Sequence, residues 1–262
     1  MILDKIAAST YVRVARRKEE TPFEKVRDEA LACDSDTGFP FEKALKAPGM
    51  SFICEVKKAS PSKGLIAEDF PYLQIAKDYE AAGASAISVL TEPEYFLGSD
   101  DYLREIAKAV SIPVIRKDFT VDAYQIYEAK LLGASAVLLI CAILSDEQLK
   151  EYLEIARTLG LSALVEAHDE EEVARAVKAG AKIVGVNNRN LKDFTVDIQN
   201  SVRLRDKIPK SCIYVSESGI KGASEVGTLY RNGTDAVLIG ETLMRSENKG
   251  TELQKLRSEC HD

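Results

Sequence analysis

Residues 122–140 read D-A-Y-Q-I-Y-E-A-K-L-L-G-A-S-A-V-L-L-I. Residues 122–132 have the pattern of an amphipathic helix, and residues 135–140 form a short apolar run of strand length. Between them stands Gly133, a residue suited to the left-handed conformation that closes a helix. The same junction occurs as Ala82-Gly83-Ala84, Leu132-Gly133-Ala134, Ala179-Gly180-Ala181 and Asn232-Gly233-Thr234. Its glycines fall 50, 47 and 53 residues apart, an interval that holds two strand–helix units each time.

Outward from this stretch the rhythm extends over most of the chain. Strand candidates lie at 51–57, 85–90, 113–116, 135–140, 162–166, 182–186, 212–216 and 235–239, with helical patterns between them, for example 72–82, 146–158 and 170–179. Eight such units indicate a parallel sheet. Their regular recurrence favours a closed (β/α)8 barrel, the TIM-barrel architecture, over an open doubly wound sheet. A dinucleotide-binding G-x-G-x-x-G is absent, as is a P-loop. Residues 1–47 are different in kind. They are charge-rich and helical in pattern, with Ile2, Ile6, Val14, Val26 and Ala30 at helical spacing, and they end in Phe39-Pro40-Phe41 and Pro48-Gly49. The expected organisation is a single α/β domain of residues 1–262, in which a helical extension (1–47) packs on a barrel (48–262).

With 262 residues, 45% of them hydrophobic, the chain can bury a full core. A net charge of -7 argues against a nucleic-acid partner. No apolar run is long enough to span a bilayer and no signal peptide is visible, so no membrane association is expected. The five cysteines include no C-x-x-C pair, and Cys54, Cys141 and Cys212 sit in apolar strand-like runs, which fits buried thiols in a reducing cytoplasm. The two histidines, His168 and His261, are far apart in sequence, so no histidine-based metal site is expected.

Barrel enzymes work at the C-terminal ends of their strands, so the residues that end each strand carry the chemistry. In Phe52–Gly64, F-I-C-E-V-K-K-A-S-P-S-K-G, Glu55 and Lys57 are two apart and share a strand face. Buried charges are costly unless paired, so a strand that carries both inward has a use for them. Further strands end in Thr91-Glu92, Arg116-Lys117-Asp118, Glu166, Asn187-Asn188-Arg189, Ser216-Glu217-Ser218-Gly219 and Gly240, and the fourth ends apolar at Leu138–Cys141. Taken singly, each charge reads as a rim salt bridge; together they form an acid–base array whose burial tunes it. Gly219 and Gly240 allow close approach of backbone N–H groups, which with Ser60 favours a phosphorylated substrate.

Glu55-Val-Lys57-Lys-Ala-Ser60-Pro-Ser-Lys-Gly64, Ser88-Val-Leu-Thr-Glu-Pro-Glu-Tyr-Phe96-Leu-Gly98-Ser99, Arg116-Lys117-Asp118-Phe119, Val165-Glu166, Gly185-Val-Asn187-Asn-Arg189 and Ser216-Glu217-Ser218-Gly219-Ile220 resemble the indole-3-glycerol phosphate synthase family. The resemblance runs from about residue 50 to 245, and the early helices fit the helical extension of that family. It implies conversion of 1-(o-carboxyphenylamino)-1-deoxyribulose 5-phosphate to indole-3-glycerol phosphate, by ring closure with loss of carbon dioxide and then water, without metal or cofactor.

By the same resemblance, Lys117 is the general acid at the ketose oxygen. Lys57 holds the substrate carboxylate and can donate a proton during dehydration. Glu166 is the acid–base group of dehydration, and Glu55 orients Lys117 and keeps it charged. Asn187 and Glu217 hold substrate hydroxyls and amine. Phe96, Leu138 and Phe119 are apolar walls for the aromatic ring, while Arg189 contacts the carboxylate or supports the lysines. Ser60, Gly219 and Gly240 cradle the phosphate, beside Ser218. Asn190 stands where the family often has aspartate, and the Glu241 carboxylate is expected to turn away from the phosphate loop. The resemblance also implies a monomer, with room for weak association with neighbouring pathway enzymes; the chain ends soon after the eighth unit, so no fused second barrel is expected. A phosphoribosylanthranilate isomerase, a Schiff-base aldolase and a barrel that only binds a phosphorylated metabolite are the competing readings.

Overall fold

The computed structural model describes residues 2–190 and 193–260. His261, set aside above as a metal ligand, lies outside the described residues. Three helices come first: α1 (Ile2–Glu20), α2 (Phe23–Leu31) and α3 (Pro40–Leu45). Strand β1 (Ser51–Val56) leads into a small antiparallel hairpin, β2 (Ala59–Ser60) against β3 (Gly64–Leu65), and then into α4 (Tyr72–Ala81). The alternation continues through β4 (Ala86–Leu90), α5 (Asp100–Ala109), β5 (Val114–Lys117), α6 (Ala123–Leu131), β6 (Ala136–Ile140) and α7 (Asp146–Thr158). It is completed by β7 (Ser162–Ala167), α8 (Glu170–Ala179), β8 (Ile183–Asn187), α9 (Gln199–Leu204), β9 (Ile213–Glu217), α10 (Ala223–Arg231), β10 (Ala236–Ile239), α11 (Glu241–Arg245) and α12 (Lys249–Arg257).

The eight long strands pair in parallel and in chain order, and β10 closes on β1 with Phe52 opposite Val237. All eight strand expectations fall on these strands. Each of the four junction glycines has positive φ: +82° at Gly83, +87° at Gly133, +93° at Gly180 and +77° at Gly233. An L side chain there would be strained, which is why glycine marks the end of these helices.

Alternation along each strand sorts the core into two shells. Outward residues such as Cys54, Val89, Val137, Val165 and Val184 pack under the helices. Inward residues Ile53, Ile115, Leu164, Ile183 and Ile213 fill the barrel interior, where Phe41 and Leu45 of α3 join them. Helix α3 thus plugs the barrel next to its strand starts, and the Ser51 hydroxyl donates to the Ala44 carbonyl to hold it there (3.2 Å). All five cysteines are free thiols. Burial pushes the Cys54 thiol up to about 12, so it packs as a small apolar group.

Helix α1 lies elsewhere. Its N-terminal residues Ile2, Leu3 and Ile6 line a cavity at the opposite mouth. Ion pairs pin the rest of the helix to the loops and helices that follow β4 and β5: Arg13 to Asp118 (2.8 Å), Arg17 to Asp100 (2.6 Å) and Glu128 (2.9 Å), and Lys18 to Asp122 (2.6 Å). Ser9 also donates to Glu94.

Candidate active site

The strand period that fills the interior with apolar groups also sets what stands above them. Two residues beyond Ile53 comes Glu55, and two further Lys57; Ile115 is followed by Lys117, Leu164 by Glu166, and Val215 by Glu217. These side chains meet in a cavity of about 540 Å³, a volume suited to a small organic ligand. All fourteen residues singled out from the sequence line it.

Lys117 stands between two carboxylates, 3.7 Å from Glu166 Oε2 and 3.7 Å from Glu217 Oε2. Burial alone would drive off its proton, but Glu217, Glu166 and Glu55 outweigh that and hold the ammonium protonated well above the ordinary lysine range. The contacts are longer than a hydrogen bond, so the ammonium is held by charge while its protons can still reach a substrate oxygen.

Glu55 makes a direct contact besides the part the resemblance gives it. Its Oε1 accepts from Lys57 Nζ at 2.5 Å, whereas the resemblance assigns it to Lys117. Two residues apart on one strand, Glu55 and Lys57 meet directly, and Glu55 reaches Lys117 only through its field. Burial works against the charge of Glu55, yet Lys57 and Lys117 outweigh it and hold the carboxyl below its ordinary value.

Three carboxylates thus face two ammonium groups, and Glu217 is the one left short of a partner. Burial and the nearby Glu166 charge push it up to about 8. Its Oε1 is buried without a hydrogen-bond partner. Space for that oxygen comes from Gly185, where an added Cβ would sit 2.2 Å away. Gly240 plays the same part across the mouth, since a Cβ there would lie 2.4 Å from Glu55 Oε1 and 2.9 Å from Lys57 Nζ. The absence of a side chain at Gly240 therefore serves the Glu55–Lys57 pair directly, beyond the phosphate role expected for it.

One wall of the cavity is apolar. Phe96 and Phe119 stack at 5.9 Å between centroids and 39° between planes, and Leu138 joins them as a lining residue. The loop that carries Phe96 is fixed by Glu92, to which the sequence reading gave no role. Its buried carboxylate accepts the backbone N–H groups of Glu94 (3.0 Å), Tyr95 (2.7 Å) and Phe96 (3.0 Å). Asn188 does the same for the loops after β8 and β9: its amide donates to Ser216 Oγ and the Ser218 carbonyl, and its oxygen accepts from Ser201. Asn187 accepts the Arg189 N–H at 3.0 Å, which turns that loop back over the mouth.

Ser60 stands on β2, in the segment after β1, and Ser218, Gly219 and Gly240 follow β9 and β10. Ser218 and Gly219 both have positive φ, +67° and +82°, so the backbone turns sharply there. Lys63, Lys221 and Arg245 bring cations to the same lining, and the sequence reading did not single them out. Glu241 does not turn away: it lines the cavity, and Lys63 (3.4 Å) and Arg245 (3.2 Å) neutralise it. Ile2 and Ile6, whose helical spacing marks an apolar face but not what it covers, also line the cavity, and so does Leu3, which the sequence reading missed.

Comparison with known proteins agrees with this arrangement. The family model described as indole-3-glycerol phosphate synthase matches residues 3–256. An indole-3-glycerol phosphate synthase of Ruminiclostridium cellulolyticum is 64% identical over 98% of this chain and 99% of its own length. That of Endomicrobium trichonymphae is 57% identical over 98% of this chain and all of its own. Among solved structures, 3-hexulose-6-phosphate synthase from Salmonella typhimurium superposes with a TM-score of 0.65 at 15% identity, over 79% of this chain and 96% of its own, a likeness of barrel fold alone. With a family match that spans both the helical extension and the barrel, and with the strand-end array in one cavity, the chain belongs to the indole-3-glycerol phosphate synthase family.

Proposed function

We propose that this cavity closes the pyrrole ring of 1-(o-carboxyphenylamino)-1-deoxyribulose 5-phosphate and releases carbon dioxide and water to give indole-3-glycerol phosphate, a step of tryptophan biosynthesis. The observation that carries the proposal is Lys117, held protonated between Glu166 and Glu217 and facing an aromatic wall. The aromatic ring lies against Phe96, Phe119 and Leu138, and the phosphate lies at Ser60, Ser218, Gly219 and Gly240, where Lys63, Lys221 and Arg245 add positive charge. Lys57 and Arg189 hold the substrate carboxylate.

As the aromatic carbon that bears the carboxylate attacks the ketose carbonyl, a carbon–carbon bond forms and the oxygen takes a proton from Lys117. The carboxylate leaves as carbon dioxide, and its electron pair restores the aromatic ring. In dehydration the new hydroxyl departs as water with a proton supplied by a lysine. Glu166 removes the proton whose loss completes the double bond. Glu217 and Asn187 hold the amine and hydroxyls; a protonated Glu217 donates a hydrogen bond that an ionised one cannot.

A lysine held as ammonium is a poor amine nucleophile, so a Schiff-base aldolase finds no support in Lys117. The active unit we propose is the single domain 1–262, a monomer in the cytoplasm that meets neighbouring pathway enzymes only weakly. No helix among the described residues is long and apolar enough to cross a membrane. The test is to supply the carboxyphenylamino substrate and follow carbon dioxide release, with borohydride added in parallel. Stoichiometric carbon dioxide and indole product without a trapped adduct is the expected result. A reduced covalent adduct on Lys117 or Lys57 would overturn it.

A further inference from the structure

His168 follows directly on the strand that carries Glu166, and its ring stands between two carboxylates. Its Nδ1 is 3.0 Å from Glu172 Oε2 and its Nε2 is 3.4 Å from Glu166 Oε1. Glu172 Oε2 also accepts the His168 backbone N–H at 2.7 Å, and Asn200 donates to the His168 carbonyl at 2.9 Å, so backbone and ring are both held. The ring does not line the cavity; it lies behind Glu166, with its side chain 17% exposed.

An ionised carboxylate only accepts hydrogen bonds, so the contact with Glu172 requires a proton on Nδ1. That leaves Nε2 toward Glu166. It is buried and has no hydrogen-bond partner. A bare ring nitrogen facing an ionised carboxylate would place two lone pairs together. One proton between them removes the conflict, either on Nε2 beside an ionised Glu166 or on Glu166 beside a neutral ring. The proton crosses by breaking one O–H bond and forming one N–H bond, with no other reactant.

We propose that His168 is a positioning residue for the reaction, which shares a proton with Glu166 and is itself held in register by Glu172. The inference rests on the reading of Glu166 as the acid–base group. The charged and titratable groups facing His168 are Glu166 on β7, Glu172 on α8 and Glu217 on β9. Burial opposes its charge, but the hydrogen bond to Glu172 and the fields of Glu166, Glu172 and Glu217 outweigh it and raise the imidazole above its ordinary value. The imidazolium, once formed, pairs with the carboxylate of Glu166, the group that takes a proton from substrate. When Glu166 takes that proton beside a neutral ring, Nε2 can receive it as the O–H bond breaks and an N–H bond forms, and it returns to Glu166 when the leaving hydroxyl needs one.

The test uses the fact that the chain has two histidines. Protein labelled with 15N-histidine gives two sets of imidazole signals, and His168→Gln identifies the set of interest. The expected midpoint lies above about 6.5 and falls by about half a pH unit or more in Glu166→Gln and in Glu172→Gln. In turnover, His168→Gln should lower kcat by roughly 10-fold or more with KM within about twofold, and the acid limb of its kcat profile should move to higher pH. Glu172→Gln keeps the ring, so it should move the limb the same way by less. A His168 midpoint indifferent to Glu166→Gln, or a His168→Gln profile that superimposes on wild type while Glu166→Gln is inactive, would overturn the proposal and leave the reading of Glu166 standing. Full activity in Glu166→Gln would remove that reading, and the proposal with it.

Discussion

Glu55, Glu166 and Glu217 are the three carboxylates that face Lys57 and Lys117 in the barrel mouth. The surplus falls on Glu217, raised from 4.5 to about 8. A carboxyl raised in the folded state keeps its proton where the unfolded chain has lost it. Its favourable contribution is therefore complete below about 4.5 and is lost as pH rises through about 8. Glu217→Gln should then raise Tm at pH 8, by about 2–4 °C for each kcal/mol of strain relieved, and raise it less at pH 5. The same substitution should lower kcat, because a group that holds the reacting amine or hydroxyl has been changed. Calorimetry at the two pH values checks the first part and steady-state rates the second. At this scale the residues of the site were legible in sequence because strand alternation places Glu55 with Lys57, and Leu164 with Glu166, on one face. The direct Glu55–Lys57 contact follows from that spacing; the link from Glu55 to Lys117 came from the resemblance, and it survives only as a field.

Glycine is used in two ways among the elements, and the two uses predict opposite outcomes. At the end of α8, Gly180 has φ +93° and open space around it. Gly180→Ala should cost about 1 kcal/mol of stability through left-handed strain and leave turnover unchanged. At the end of β10, an added Cβ at Gly240 meets Glu55 and Lys57. Gly240→Ala should reduce kcat at least about tenfold, by displacing a paired charge in the mouth, while the folded fraction seen by circular dichroism is kept. The junction glycines could be read from sequence because helix closure is a local event. The β2–β3 hairpin over the mouth could not, since two-residue strands carry no periodic signal.

For the molecule as a whole, α1 is the part whose position the sequence left open. Ile2 and Ile6 announce a buried face, but what they cover depends on ion pairs that reach across 83 to 111 residues, such as Arg17 to Asp100 and to Glu128. Arg116, buried on β5, draws on the same Asp100 and Glu128 and also on Asp118, so the clamp ties the helix over the mouth to the strand that ends in Lys117. Arg17→Ala should loosen that cover by about 1 kcal/mol and raise KM roughly fivefold with kcat little changed, and added salt should raise the KM of wild type in the same direction. The most direct measurement is turnover of the carboxyphenylamino-deoxyribulose phosphate, read by indole fluorescence, for wild type and Lys117→Ala; with no tryptophan in the chain, the product signal stands clear of the protein. Wild type should generate the signal and Lys117→Ala should lose about 100-fold or more in kcat. A folded wild type that binds the substrate without producing indole, or a Lys117→Ala variant that turns over at the wild-type rate, would contradict Lys117 as the acid of ring closure.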